Sequence, residues 1–456
     1  MLNPREVKTA EDAKRIVEER QLSHVKVGIF DIDGVMLGKY MSRNKFFSAL
    51  DNGFAFCDVV LGWDTKDKLY DNASYTGWHT GYPDANVRII PSSCRELVVE
   101  DNQLLFLAEF SEKAEAICPR AVLRRVIEKA NNMGFEVYAA LEYEFFVFDE
   151  TSESVRAKGF RNLKTITPDN FGYSILRNTV HAEFYHQILQ MSEAMDFPIE
   201  GLHTETGPGV IEAAIAVDSA MNAGDKAALF KTFMKILAQR NQKMATFMAK
   251  WSMDCPGQSG HIHLSLKHLE GGSAFYDPAN AYNMSRIQRH FLAGQQELMP
   301  ELLAMFSPTI NSYSRLIPGY WAPTDATWGV ENRTTALRVI PGNEKSQRIE
   351  YRLGSADANP YLALAAAIGS GLYGIEHELE PRTEVKGNSY AQTHDKELAL
   401  PRTLWDAAQN LKASGAAHTL FGSDFVTHFA GTREWEEREF RRHITDWELD
   451  RYFEII

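Results

Sequence analysis

Two glutamates, Glu142 and Glu144, lie two residues apart in an apolar run at positions 137–148, Val-Tyr-Ala-Ala-Leu-Glu-Tyr-Glu-Phe-Phe-Val-Phe. The run is rich in residues that favour strands and contains no glycine or proline. Because side chains alternate between the two faces of a strand, both carboxylates point the same way. A buried carboxylate needs a counter-charge or a metal ion. The run therefore predicts a metal-binding strand, with an edge strand carrying two solvated glutamates as the alternative.

Three later segments repeat this arrangement of polar residues beside apolar ones. The first surrounds a Gly-Pro-Gly turn, and the other two are strand-like, with apolar residues at the intervening positions. Their polar members are Glu200, His203, Glu205 and Glu212; then His261, His263 and Ser265; then Arg348, Glu350 and Arg352.

The residue types in these clusters favour phosphoryl transfer. Oxygen ligands with one or two imidazoles suit Mg²⁺ or Mn²⁺ better than zinc. Arginine is suited to bidentate recognition of phosphate and carboxylate, and metal-binding acids beside arginines are the parts that phosphoryl transfer needs. The alternative is a set of surface ion pairs. The basic residues are Arg315, Arg333, Arg338, Lys345, Arg348 and Arg352.

The elements that must position these residues alternate along the chain, which favours a mixed α/β or α+β fold. Residues 1–115 predict a small, mostly β N-terminal domain, and residues 116–456 a catalytic domain. A capping-box-like start at Thr9 predicts a helix over 9–20, and Asp33-Gly34 predicts the turn of a hairpin over 25–38. Further helices are predicted at 121–132, 179–195, 215–250, 285–305 and 359–378.

Composition excludes several classes of function. A net charge of −13 argues against nucleic acid as the main partner. No apolar run is long enough to span a bilayer, and the N-terminus is no signal peptide. Four cysteines without metal-ligand spacing are typical of reduced thiols in a cytosolic protein. We therefore expect a cytoplasmic enzyme with no nucleic-acid or membrane partner.

Two short motifs match known functional patterns but do not determine the main prediction. Gly369-Ser-Gly371-Leu-Tyr-Gly374 fits G-x-G-x-x-G but lies in an alanine-rich helical stretch, so it indicates helix packing or chance. Asp31-Ile-Asp33-Gly34 resembles the nucleophile motif of haloacid-dehalogenase-type phosphatases, yet the residues after it read as the return strand of a hairpin.

The four clusters, in this order, resemble the glutamine synthetase family. The resemblance runs from about residue 25 to the C-terminus. It is carried by Glu-Tyr-Glu-Phe at 142–145, Asn-Ser-Tyr-Ser-Arg-Leu-Ile-Pro-Gly-Tyr at 311–320, Glu-Asn-Arg-Thr-Thr-Ala-Leu-Arg at 331–338, Arg-Ile-Glu-Tyr-Arg at 348–352 and Ala-Asn-Pro-Tyr-Leu at 358–362.

The resemblance implies an α+β fold, with a β-grasp-like N-terminal domain and a catalytic domain built on a curved antiparallel sheet. It implies a homo-oligomer, usually a dodecamer of two stacked hexamers, with active sites between neighbouring subunits. It also implies glutamate, ATP and an amine as substrates, and two or more Mg²⁺ or Mn²⁺ ions at each site.

Carried over by position, the resemblance implies three groups of site residues. Metal ligands would be Glu144, Glu205 and Glu212 for one ion, and Glu142, His261 and Glu350 for the other. ATP would contact Glu200, His263, Ser265, Arg338, Lys345 and Arg348. Glutamate and the transferring phosphoryl group would contact Gly257, Arg315, Arg333 and Arg352.

Departures from the family pattern concern the amine. Ammonia-using members carry a glutamate after Pro-Gly-Tyr, where this chain has Trp321. Asp64 is a weaker match to the ammonium-site aspartate of the N-terminal domain. An indole in place of a carboxylate makes the pocket larger and more apolar, while its face still attracts an alkylammonium. With Thr-Trp328-Gly-Val-Glu-Asn-Arg, this resembles the subgroup of γ-glutamyl-amine ligases.

We therefore expect an ATP-dependent ligase that forms a γ-glutamyl amide from glutamate and a polyamine or monoamine, as in amine catabolism, through a γ-glutamyl phosphate. Arg333, Asp64 and Trp321 are the expected catalytic residues. An ammonia-using glutamine synthetase, a non-catalytic structural relative and the phosphatase are the alternatives.

Overall fold

The computed structural model describes residues 2–456. Its N-terminal part is a five-stranded sheet in the order β2-β1-β5-β4-β3, in which β1 and β5 are parallel and the other pairs antiparallel. The predicted first helix is confirmed, with the Thr9 hydroxyl accepting the Asp12 N–H. The elements are α1 (Ala10–Glu19), β1 (His24–Phe30), β2 (Met36–Ser42), α2 (Arg43–Asn52), β3 (Phe54–Cys57), β4 (Asp84–Glu96) and β5 (Leu104–Phe110).

The hairpin between β1 and β2 excludes the phosphatase interpretation. Asp31 is buried, and its Oδ1 accepts the N–H groups of Asp33 and Val35 at 3.0 and 2.8 Å. Burial, reinforced by the charge of Asp33, raises the pKa of Asp31 to about 8. Asn359 donates to the carbonyl of Ile32, which fixes the turn against the catalytic domain. Asp31 thus shapes a turn and is not presented as a nucleophile.

The second sheet carries the predicted clusters. Seven strands follow the order β12-β13-β14-β11-β6-β8-β7, with β9 and β10 also pairing with β6. All of these pairs are antiparallel except β12 with β13. The strands are β6 (Phe135–Phe148), β7 (Ile199–Thr204), β8 (Val210–Ile215), β9 (Asp218–Ser219), β10 (Met244–Thr246), β11 (Gly260–His268), β12 (Trp328–Val330), β13 (Leu337–Ile340) and β14 (Arg348–Tyr351).

Helices cover the apolar side of this sheet. The α+β class is confirmed, but two predicted helices differ in extent. The helix expected over 215–250 ends early because Gln242 has a φ of +54°, and that over 179–195 divides at His181. The helices are α3 (Pro119–Asn132), α4 (Ser152–Ala157), α5 (Ile175–Val180), α6 (Ala182–Ala194), α7 (Ala220–Arg240), α8 (Arg286–Phe306), α9 (Ser312–Arg315), α10 (Pro360–Glu376), α11 (Leu404–Ala413), α12 (Gly415–Phe421), α13 (Ser423–Phe440) and α14 (Asp446–Tyr452).

The G-x-G-x-x-G match is helix packing, as expected. Within α10, Gly371 lies against the ring of Phe291, and Gly374 faces Gly294 of α8. A Cβ at Gly374 would lie 2.0 Å from the carbonyl oxygen of His290, so a larger residue would force the two helices apart.

Within residues 2–456 all four cysteines are free thiols, and no helix is long and apolar enough to cross a membrane.

A buried ion network joins the N-terminal sheet to the catalytic helices. Arg120 of α3 donates to Glu109 of β5 at 2.8 Å and makes a two-pronged contact with Asp225 of α7 at 2.9 and 3.0 Å. Tyr361 of α10 donates to the same Asp225 at 2.8 Å. Glu109 and Arg120 lie on either side of the domain boundary predicted between residues 115 and 116. That boundary stays a prediction.

Removing the guanidinium from this network should destabilise the protein strongly. Arg120→Met would leave the buried Asp225 without its cation and would remove one of the arginines that pair with Glu109, which costs about 3–5 kcal/mol. The midpoint of urea unfolding measures the loss. Lys129→Met is the matched control, because its ammonium pairs with Glu376 near the surface and should contribute less than about 1 kcal/mol. Equal midpoints for the two variants would contradict the analysis.

Candidate active site

Strand register brings the four polar clusters into one row across the second sheet. β6 lies between β11 and β8, so the glutamates of its polar face are not on an edge strand. The edge-strand interpretation is therefore wrong. The directly opposed pairs are Glu142 with His261, Glu144 with Glu212, Glu212 with His203, His263 with Glu350, and Glu350 with Arg338.

One end of the row is a carboxylate–imidazole group. The Nδ1 atom of His261 lies 3.7 Å from Glu142 Oε2 and 3.5 Å from Glu350 Oε1, and His263 Nε2 lies 3.0 Å from Glu142 Oε1. Burial works against the charge of Glu142, but the two imidazoles outweigh it and lower the pKa of that carboxyl far below its usual range. Burial likewise opposes the charge of Glu350, yet Arg352, His261 and His263 bring its pKa to about 2. Both acids are therefore anionic.

Arg348 determines which nitrogen of His263 carries the proton. Its Nε donates to His263 Nδ1 at 3.1 Å, so that nitrogen accepts. In the neutral ring the proton then lies on Nε2, which faces Glu142. No hydrogen bond joins Nε2 to Glu142 within residues 2–456, so Arg348 orients the ring and leaves Nε2 without a hydrogen-bond partner.

The other end of the row is a crowded group of acids. His203 Nε2 lies 3.8 Å from Glu205 Oε2 and 3.9 Å from Glu212 Oε1. Glu144 accepts the N–H of Ser259 at 2.6 Å. Burial, then repulsion from Glu144 and other acids, raises the pKa of Glu212 to about 9. A divalent cation at this point would relieve the repulsion.

The donor set fits divalent metal ions. Two groups of potential ligand residues are present, and within each group the ligand atoms lie within 4.8 Å of one another. Several of these atoms are buried without a hydrogen-bond partner among residues 2–456. Four of the six predicted ligands belong to these groups, whereas Glu144 and His261 do not, and the members not predicted as ligands are His203 and His263. The groups are Glu142, His263 and Glu350, and His203, Glu205 and Glu212.

A cavity of about 680 Å³ opens over this row. Besides the acids it is lined by the predicted residues Gly257, Arg315, Trp321, Arg333, Arg338 and Arg352. It is also lined by Tyr173, whose ring stacks on His203 at 4.4 Å. The sequence analysis missed Tyr173, which belongs to no strand and is positioned by an N–H bond to the carbonyl of Thr204.

A second cavity of about 310 Å³ adjoins the first. Glu142, His263 and Arg348 line both. Three further predicted nucleotide contacts line the second cavity alone, namely Glu200, Ser265 and Lys345. Six residues were predicted to contact ATP, and the remaining one, Arg338, lines the first cavity. All six therefore line one or both of the two cavities.

Arg315 lines the cavity, but its guanidinium also binds backbone carbonyls of the same chain. Its guanidinium is buried and donates to the carbonyls of Leu353 at 2.8 Å and Arg352 at 3.2 Å. Burial lowers its pKa to about 10, although Glu144 opposes the change. Gly257 permits this packing, since a Cβ there would lie 2.6 Å from Arg315 Cγ. Arg315 thus fixes the cavity wall as well as lining it.

Asp64 lies apart from the cavity of its own chain. Its Oδ1 accepts the N–H groups of Lys66 and Lys68, and its Oδ2 accepts the indole N–H of Trp435 at 3.4 Å. Its expected catalytic role would require a neighbouring subunit, and it stays a prediction.

Crowding of the acids should make stability depend on pH and on metal. The folded-state pKa of Glu212 is raised to about 9, so its stabilising protonated form is complete below the ordinary glutamate pKa and lost as the pH rises through 9. In EDTA we expect the melting temperature to fall as the pH rises from 5 to 9, and Mg²⁺ to restore it most at the alkaline end.

Glu212→Gln should flatten this pH dependence and weaken the effect of Mg²⁺, whereas the exposed Glu270→Gln should behave as the parent protein. Thermal melting across the pH series measures both. A slope unchanged in Glu212→Gln would show that the crowded acid does not govern stability.

Comparison with known proteins agrees with this geometry. Residues 116–452 match the family model described as "Glutamine synthetase, catalytic domain". The chain is 43% identical over 439 residues to "Type-1 glutamine synthetase 2" of Dictyostelium discoideum, covering 95% of this chain and 84% of that protein. It is 34% identical over 456 residues to "Glutamate--isopropylamine ligase" of Pseudomonas sp, covering 96% and 97%.

The fold also matches a solved structure described as "Apo GmaS without ligand". The TM-score is 0.84 at 23% identity, and the match covers 97% of this chain and 99% of the other. The row of acids, the two adjoining cavities and the matched catalytic region lead to one conclusion: this chain belongs to the glutamine synthetase family, and it is a ligase of that family.

Proposed function

We propose that this ligase joins glutamate to an organic amine at the expense of ATP. The observation that carries the proposal is Trp321, which is 56% exposed and lines the large cavity beside Tyr320. In the family pattern that the sequence resembles, ammonia-using members have a glutamate at this position. An indole cannot offset the charge of a bare ammonium ion as a carboxylate does, but it offers apolar surface and a π face to an alkylammonium.

The names of the relatives support an organic amine as the nucleophile and leave ammonia as the alternative. The Pseudomonas protein is named for isopropylamine, an organic amine. The Dictyostelium protein, at the higher identity of 43%, is named a glutamine synthetase. Ammonia is therefore the second candidate for the nitrogen nucleophile, and both candidates share the acyl donor and the nucleotide.

We further propose Mg²⁺ or Mn²⁺ at two positions, with Glu144, Glu205 and Glu212 holding one and Glu142, His261 and Glu350 holding the other. When bound, such ions neutralise phosphate charge and orient the transferring group. His203 adds an imidazole to the first group. Arg338 and Arg352 donate to Glu350 at 2.9 and 2.5 Å and hold that carboxylate in place.

The nucleotide is proposed to lie along the second cavity, with its phosphates near Glu142, the acid that lines both cavities. Glu200, His263, Ser265, Lys345 and Arg348 are its proposed contacts there, and Arg338 lies at the phosphate end. Among residues 2–456, Lys345 has no ion pair within the chain, so its ammonium is available to a phosphate.

Glutamate is proposed to lie in the large cavity beside Gly257, Arg315 and Arg352. Its γ-carboxylate oxygen attacks the terminal phosphorus of ATP, ADP leaves, and a γ-glutamyl phosphate results. Arg333 is exposed, lines this cavity and has no ion pair within residues 2–456. Its guanidinium can therefore stabilise negative charge that develops on the phosphoryl group. The amine then attacks the acyl carbon, inorganic phosphate leaves, and the nitrogen loses a proton.

The assembly is also proposed from the family: a cytoplasmic dodecamer of two stacked hexamers. A neighbouring copy would complete each site by supplying the loop that carries Asp64.

Amine-dependent release of ADP tests the proposal. With glutamate and Mg²⁺ present, we expect kcat/KM for isopropylamine, ethylamine or putrescine to exceed that for ammonium by about tenfold or more, because an apolar pocket can discriminate by roughly 1–3 kcal/mol. EDTA should abolish turnover. Ammonium as the best nucleophile would favour the second candidate.

Trp321→Glu should shift this preference towards ammonium. The new carboxylate would attract the small cation and remove apolar surface, so we expect kcat/KM for the bulky amine to fall about tenfold or more. Trp321→Phe should keep most of the preference, and Trp405→Glu, on α11 away from the cavity, should keep all of it. If Trp321→Glu does not change amine choice, then Trp321 does not contact the amine.

A further inference from the structure

Lys250 is a buried cation that no part of the reaction described above uses. It is 3% exposed, and its Nζ has no hydrogen-bond partner within residues 2–456. Burial lowers the pKa of its amine. A buried ammonium without compensation is costly, so the structure around it should supply some other attraction.

That attraction is the ring of Tyr320. Nζ of Lys250 lies 4.3 Å from the ring centroid, within the range of a cation–π contact. The backbone of Lys250 is clamped on both sides by Asn311, whose Oδ1 accepts the Lys250 N–H and whose Nδ2 donates to the Lys250 carbonyl, each at 2.8 Å. The ammonium is therefore presented to Tyr320 from a fixed point.

The loop that receives this contact has little else to hold it. Gly319 and Trp321 both have positive φ, +88° and +59°, and a bulky residue such as tryptophan rarely adopts that conformation. Within residues 2–456, the Tyr320 and Trp321 side chains make no hydrogen bonds, and both line the large cavity. Among the described residues, Lys250 supplies the one charged contact to the Tyr320 side chain, on the part of the wall where the amine is proposed to bind.

We propose that Lys250 is a positioning residue for nitrogen-nucleophile specificity, which holds Tyr320 by a cation–π contact and thereby fixes Trp321 at the cavity wall. The inference rests on the proposed function for the place where the nitrogen nucleophile binds. It does not depend on which amine is preferred, because it concerns how firmly the wall of that pocket is held.

The test compares steady-state kinetics of the full-length Lys250→Met variant with the parent protein, using isopropylamine and ammonium as separate nucleophiles. Methionine keeps the length and apolar character of the side chain but removes the charge. We expect the ratio of kcat/KM for isopropylamine to that for ammonium to change by about 3- to 30-fold, the range for one cation–π contact. KM for ATP and glutamate should stay unchanged.

Lys250→Arg should restore the parent ratio, because a guanidinium also binds an aromatic face. Lys39→Met is the matched control: its ammonium lies 4.6 Å from the ring of Phe56 in the N-terminal sheet, and its loss should not alter the ratio. Melting temperature should not fall in Lys250→Met, since a costly buried charge has been removed.

A double-mutant cycle tests whether Lys250 acts through Tyr320. Tyr320→Leu should change the ratio in the same direction, and the double variant should show no additional change. Additive effects, an unchanged ratio in Lys250→Met, or an equal rise in KM for every substrate would overturn the inference. If the parent protein itself prefers ammonium, the proposed amine substrate is refuted instead. The two failures are distinguishable, because the ratio in the parent protein and its change in the variant are measured separately.

Discussion

Mutual repulsion among carboxylates that are buried or half-buried is the constraint on which this active site depends. Glu142, Glu144, Glu212 and Glu350 lie on three strands of one sheet, β6, β8 and β14, where unfavourable charge has to be offset. At one end imidazoles and arginines do this, and Glu142 and Glu350 stay anionic. At the other end the pKa of Glu212 rises instead. The fold thus stores an electrostatic cost that divalent cations can relieve.

The rest of the molecule holds that arrangement rigid. Antiparallel pairing fixes which carboxylate faces which imidazole, and Arg348 fixes the proton of His263. Behind the cavity, Arg315 binds backbone carbonyls, and Gly257 leaves room for it. Because a densely packed interior allows little rearrangement, the side chains that line the cavity are held in place before a substrate binds.

The residues proposed to determine amine specificity, in contrast, lie on a loop. The residues proposed to bind the nucleotide and the acyl donor lie mainly on or beside strands, whereas Tyr320 and Trp321 lie on a segment with two left-handed residues. A change of one aromatic residue there can alter the amine without disturbing the row of acids. Under the proposed function, this division would allow one family to include a protein named a glutamine synthetase and a protein named for isopropylamine.

Much of the site could be read from residue order. Alternation in the run that contains Glu142 predicted a strand with both acids on one face, and the pattern at 260–266 placed His261 and His263 together. Family resemblance then supplied the ligand groups. The ends of helices were less predictable, because the positive φ of Gln242 and the break at His181 reflect local backbone geometry that composition does not reveal.

Strand pairing, burial and loop conformation were decided by the folded chain alone. His203 meets Glu212 only because β7 pairs with β8, and Tyr173 stacks on His203 from a loop that is distant from it in the sequence. Lys250 meets Tyr320 across seventy residues of sequence. Alternation along one strand is a local property of backbone geometry, so residue order could carry it. Contacts between distant segments depend on how all the apolar faces pack at once, which no single stretch of residues specifies.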